Sequence, residues 1–106
     1  MKRRILIIDT SDNTKIKVAL SINNQLYEEV EKREGSSAQR LLPLIVKILS
    51  KYNLSLQDLT GIEVNLGPGS FTGLRVGVAV ANALGTLLRI PINGKPVGEL
   101  VDPHYE

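Results

Sequence analysis

The chain has 106 residues, 13 Lys and Arg against 11 Asp and Glu, a net charge of +2, and is 42% apolar and 23% charged. This is the balance of an ordinary globular protein with one core; it excludes a disordered or fibrous chain and is too weakly basic to imply nucleic acid by itself. The absence of cysteine excludes disulfides, thiolate zinc sites and cysteine nucleophiles, and fits a cytoplasmic setting.

The short basic run Lys2, Arg3, Arg4 reads as a solvated end leading into ILIID, Ile5 to Asp9, a continuous apolar run that suits a strand buried on both faces. Asp9 ends that run far below the length of a signal-peptide core, and no later segment is expected to span a membrane. After the loop DTSDNT, Ile16, Val18, Leu20 and Ile22 alternate on one face of a second strand. Asn23-Asn24 marks a tight hairpin, and Gln25 to Glu34 is a polar third strand near an edge.

Ser36 and Gln39 have capping-box spacing, so a helix should start there and run to about Tyr52, with Asn53 closing it. Pro43 inside it removes one backbone bond at a cost of ~3 kcal/mol and predicts a kink near Gln39. A helical turn over Leu56 to Leu59 follows Ser55 and ends at Gly61. IEVNL is a fourth strand, GPG a turn, Phe71 to Arg89 a second long helix, and IPING a brief fifth strand. The order β-β-β-α-β-α-β gives an α/β fold, a mixed five-stranded sheet covered by two long helices. It resembles the ribonuclease-H-like group, which includes the actin and sugar-kinase half-domain. The domain is expected over residues 1–94, with 95–106 a tail of uncertain order.

The stretch GPGSFTGLRVG, 67–77, fails as a phosphate loop on spacing. A Walker A motif wants Gly-Lys where Thr72 stands, and a dinucleotide fingerprint also wants glycine there. Ser70 is read as a helix cap, and Asp9 as an aspartate capping its own turn. Gly73, Gly77, Ala81 and Gly85 recur every four residues, one stripe of minimal side chains. Glycine in a helix costs about 1 kcal/mol relative to alanine, so the stripe predicts close approach of another backbone, either the sheet or a second helix. On both helices the apolar arc is wider than one sheet contact requires. On the second, Val76, Val80 and Leu87 form one facet, and Leu74, Val78, Leu84 and Leu88 join the stripe in another. An unused facet would mark an association surface. The one histidine, His104, lies in the tail, and no histidine pair stands at metal-ligand spacing, so neither a metal site nor a catalytic group is expected.

IDTS after the first strand, AQRLLPLI on the first helix and LGPGSFTGLRVG at the loop resemble TsaB (YeaZ-type) proteins, over the amino-terminal half of that family. The resemblance implies a subunit that is not itself an enzyme, serving the machinery that makes threonylcarbamoyladenosine in tRNA. Its partner would be TsaD, a homologous catalytic subunit that carries the metal site and transfers the threonylcarbamoyl group. It also implies that the two helices build a bundle across the interface with that partner, or across a homodimer in its absence, with tRNA met only through the complex and no membrane. The expected contact residues are Arg40, Leu41, Leu44, Ile45 and Ile48 on the first helix and Gly73, Leu74, Gly77, Val78, Ala81 and Gly85 on the second. No cofactor is then required. Two departures from the family are a missing histidine, where Ser36-Ser37 stands, and the absence of the usual second domain. A reading of another class makes the chain a nucleotide-binding, ATPase-like module, taking ATP and magnesium through Asp9, Thr10, Ser11 and Ser70 beside the Gly67 to Gly73 turn.

Overall fold

The computed structural model describes residues 2–32 and 37–104. Strands β1 (Arg4–Asp9), β2 (Lys15–Ile22) and β3 (Gln25–Lys32) are followed by helix α1 (Ser37–Lys51), a 3-10 turn (Leu56–Asp58), strand β4 (Gly61–Val64) and helix α2 (Phe71–Leu88). The sheet order is β3-β2-β1-β4, with β1 antiparallel to β2 and parallel to β4. Asn23 and Asn24 have φ of 51° and 71°, the left-handed pair that a two-residue hairpin turn demands, and they set the Ile22–Gln25 pairing.

Both helices lie on one face of the sheet, α1 over β2 and β3, α2 over β4 and β1. Leu6, Ile8, Val18, Leu20 and Ile62 meet Ile45, Ile48, Val78 and Leu84 in a single core. Polar contacts pin α1 to the edge strand: Lys51 Nζ lies 2.7 Å from Glu29, Arg40 2.9 Å from Glu31, and the Tyr52 ring 4.4 Å from Tyr27. The helix continues through Pro43, which sits on its exposed side. There water can satisfy the carbonyl that proline leaves without a donor. Asn53, at φ 57°, closes α1 as expected, with the Leu54 N–H donating to the Leu49 carbonyl at 2.9 Å. The capping box expected at Ser36 lies outside the described residues, as do Arg33 and Glu34 of the expected third strand.

Three expectations are corrected. The fifth strand is reduced to one parallel bridge between Ile92 and Ile62, so the sheet has four strands among the described residues. Three features account for this: Pro91 has no N–H, Asn93 turns to φ 53°, and the Asn93 side chain then replaces a backbone neighbour. Its Oδ1 accepts from the Val64 N–H at 2.8 Å and its Nδ2 donates to the Val64 carbonyl at 3.2 Å. The segment 95–104 is anchored at its far end while 95–100 stay exposed: Val101 is buried, both its backbone groups bond the Asn82 amide at 2.9 and 3.0 Å, and the His104 N–H donates to the Leu66 carbonyl at 2.6 Å. Finally, contrary to expectation, α2 is long and apolar enough, by length and composition, to cross a membrane; one side of it is built into the core.

Candidate functional site

The parallel register that pairs Ile8 with Val64 carries Asp9 and Asn65 side by side at the ends of β1 and β4. Asp9 Oδ1 accepts from the Ser11 N–H at 3.0 Å, the Ser11 hydroxyl at 2.6 Å and the Asn65 amide at 3.2 Å. Burial pushes the Asp9 carboxyl up, but these hydrogen bonds, with Lys17 nearby, outweigh it and hold the group below its ordinary value. Asn65 also accepts from the Gly67 N–H at 2.9 Å. The glycine-rich loop then docks on the strand end: the Ser70 N–H donates to the Ser11 carbonyl at 2.8 Å, and Ser70 Oγ caps α2 by accepting from the Gly73 N–H at 3.3 Å. Thr10, the one buried polar residue among those described, donates to the Gly73 carbonyl at 2.6 Å. The fold therefore brings Asp9, Thr10, Ser11 and Ser70 together and satisfies them largely with one another.

Reading the sequence missed Asn65. Its signal was a polar residue at the end of an apolar strand, level with Asp9 once the parallel pairing is drawn.

The small-residue stripe faces the sheet. A Cβ at Gly77 would run into the Thr10 hydroxyl and touch Ile8, and one at Gly85 would lie 2.5 Å from Ile92 Cδ1. What closes on α2 is thus mainly side chains of this same chain, those of Ile8, Thr10 and Ile92, with the Ile90 carbonyl at Gly85 the one backbone group among these neighbours. Of the expected contact residues, Leu41, Leu44, Ile45, Ile48, Gly73, Leu74, Gly77, Val78, Ala81 and Gly85 are all buried in the fold. They are its internal packing and cannot form an open surface. Arg40 is half-buried, in its ion pair with Glu31.

The opposite side of the helical layer is where apolar surface remains. On α2 it comprises Phe71 at 56% exposure, Ala79, Ala83 and Leu87 at 76%, with Val76 and Val80 partly covered; on α1 it comprises Leu42 at 45% and Val46 at 52%. A shallow groove runs along Phe71, Val76, Ala79 and Val80, and the Arg75 guanidinium lies 5.5 Å from the centre of the Phe71 ring at its end. The facet of Val76, Val80 and Leu87 was visible in the helical wheel. The expected contacts followed the glycine stripe, whose spacing reports close approach without saying to what.

Among the described residues, no three His, Cys, Asp or Glu side chains come together as a possible metal group. Fold and surface define an α/β domain with a mixed sheet, helices over one sheet face and an open apolar helical side. The family model described as TsaD, tRNA N6-adenosine threonylcarbamoyltransferase, matches residues 28–94, and the chain belongs to this family, as a member of TsaB/YeaZ type. It is 36% identical over 90 residues to the tRNA threonylcarbamoyladenosine biosynthesis protein TsaB of Buchnera aphidicola subsp. Schizaphis graminum, covering 85% of this chain and 42% of that protein. With the TsaB proteins of Escherichia coli and Bacillus subtilis it shares 35% and 32% identity, covering 86% and 96% of this chain but 39% and 49% of theirs. The chain thus spans less than half the length of these relatives. The solved structure of YeaZ from Pseudomonas aeruginosa superposes with a TM-score of 0.80 at 30% identity, over 89% of this chain and 44% of that one.

Proposed function

We propose that the chain is a non-catalytic scaffold in the biosynthesis of threonylcarbamoyladenosine in tRNA. It acts in the cytoplasm by binding a TsaD-like catalytic subunit through the outward side of α1 and α2. The observation that carries this reading is the apolar face of Leu42, Val46, Phe71, Val76, Val80 and Leu87, left open on a helical layer whose other side is fully used. Contiguous exposed apolar surface of this kind marks an association site. Without the partner, the same face closes a homodimer, and tRNA is reached only through the complex. The fold is read as a ribonuclease-H-like half-domain, with the Ile62–Ile92 bridge standing where a fifth strand would run.

Light scattering on the chain, alone and mixed with the TsaD-like protein of the same source, tests this. A one-to-one complex that is lost in both Leu87→Glu and Val46→Glu supports it, whereas a complex untouched by both variants refutes the assigned face.

A second reading, a nucleotide-binding module, is favoured by the meeting of Asp9 and Ser11 with the Ser70 loop. Calorimetric titration with ATP and magnesium separates it from the first, since no heat at millimolar ligand ends it for this chain.

A further inference from the structure

Charge is divided unevenly between the two layers of the fold. The chain has 11 Asp and Glu, yet neither the 15 residues of α1 nor the 18 of α2 include one; the charges on the helices are Arg40, Lys47, Lys51 and Arg75, all positive. Those on α1 are answered within the chain by carboxylates of the edge strand β3. Arg40 lies 2.9 Å from Glu31, and Lys47 and Lys51 lie 3.8 and 2.7 Å from Glu29. Arg75 has no ion pair among the described residues. It stands exposed on α2, at the end of the apolar groove and beside the Phe71 ring.

That position constrains what can cover the groove. The guanidinium, 5.5 Å from the ring centre, is held against Phe71 by cation–π attraction, so little ordering remains to be done when the groove closes and the charge leaves water. A buried guanidinium without an anion is strongly unfavourable, whereas one that meets a carboxylate gains two parallel charge-assisted hydrogen bonds. A second copy packed on this face through its own α1 and α2 brings no carboxylate, whichever way the two-fold axis runs, because those helices have none. Charge complementarity therefore disfavours self-association and favours a different polypeptide, with an acid where this chain has none.

Resting on the partner face assigned above, we propose that Arg75 determines which polypeptide that face accepts. The partner's apolar helical surface carries an Asp or Glu that meets the guanidinium at the Phe71 end of the groove. Leu42, Val46, Val76, Val80 and Leu87 supply adhesion that any apolar surface could share, and Arg75 supplies the choice.

The test is the association of the 106-residue chain with the TsaD-like protein of the same source, measured by calorimetry at about 0.05 and 0.5 M salt. Arg75→Met keeps an unbranched side chain against Phe71 and removes the charge. It should weaken the complex about tenfold at the lower salt and remove most of its salt dependence. Arg75→Glu should weaken it roughly a hundredfold, and one substitution of an Asp or Glu to Arg on the partner should recover at least about tenfold of that loss. Self-association of the chain, read by sedimentation, should be no weaker in Arg75→Met than in the natural chain. Arg75 is exposed, so the variants should fold, and circular dichroism checks that they do. If both Arg75 variants bind the partner as the natural chain does while Leu87→Glu abolishes the complex, the face stands and the role of Arg75 is overturned. If Leu87→Glu and Val46→Glu also leave the complex untouched, the face assignment fails and takes this inference with it. A homodimer lost in Arg75→Met overturns the proposal too, by showing that a second copy satisfies the guanidinium.

Discussion

On the side of α2 that faces the sheet, Gly73, Gly77, Ala81 and Gly85 let the helix settle onto β1 and Ile92; on the side that faces away, Phe71, Ala79, Ala83 and Leu87 are exposed. Both sides are apolar and both contain small residues, so composition does not separate them. Room does. Inside, the missing Cβ atoms are required by neighbours already in place; outside, side chains of any size fit, and their chemistry matters only to what docks there. Stability and association should therefore respond to different residues of one helix.

The largest expected effect is Gly77→Leu. Its side chain would displace Thr10 and Ile8 together, an overpacking that costs ~3 kcal/mol or more, and urea denaturation should show the chain wholly or mostly unfolded. Native stability in this variant would break the distinction between the two sides. Next comes Leu87→Glu, expected to change stability by no more than about 0.5 kcal/mol while weakening partner association at least tenfold, read from denaturation and light scattering on the same preparation. Thr10→Val keeps the shape but removes the hydroxyl that donates to the Gly73 carbonyl, a loss of about 1–3 kcal/mol in stability by urea denaturation, which Thr10→Ser should largely restore.

The smallest effect is on proton affinity. Because the Asp9 carboxyl is held below its ordinary value, the unfolded chain binds the proton more readily. The stability it contributes is present above about pH 4 and is lost as pH falls through the depressed folded value. Ser11→Ala removes one of the bonds that depress it, so an NMR titration should find the Asp9 carboxyl raised and the acid loss beginning at higher pH.

Local chemistry was legible in the sequence wherever one or two residues decide a backbone shape. Asn23-Asn24 made the hairpin, Asn53 closed α1, Ser70 capped α2 and Ser55 opened the short turn, where the Asp58 carboxylate accepts from the Ser55 N–H at 2.8 Å. What stayed hidden depends on partners distant in the chain. The brief fifth strand failed because one side chain, Asn93, bonds β4 in place of a ladder. The anchoring of the segment after Gly94 hangs on Val101 and Asn82, 19 positions apart, with no periodicity to announce it. The site cluster was half visible: Asp9 and Ser70 stood out as polar residues at element ends, while Asn65, which ties Asp9 to the loop, becomes meaningful only once β1 and β4 are paired.

The Asn82 grip on Val101 also bears on how the molecule breathes. Residues 95–104 are fastened by that amide pair, by the buried Val101 side chain and by the His104 N–H on Leu66, and none of these bonds belongs to the β-ladder. The segment can therefore detach as a unit of its own, at a free energy well below that of global unfolding. In hydrogen exchange the Val101 and His104 amides should lose protection together, ahead of those in β1 and β2. Each such opening lifts the His104 carbonyl from Gly67 and wets the turn beneath it. The stretch from Val101 to His104 thus governs how often the glycine-rich loop meets solvent.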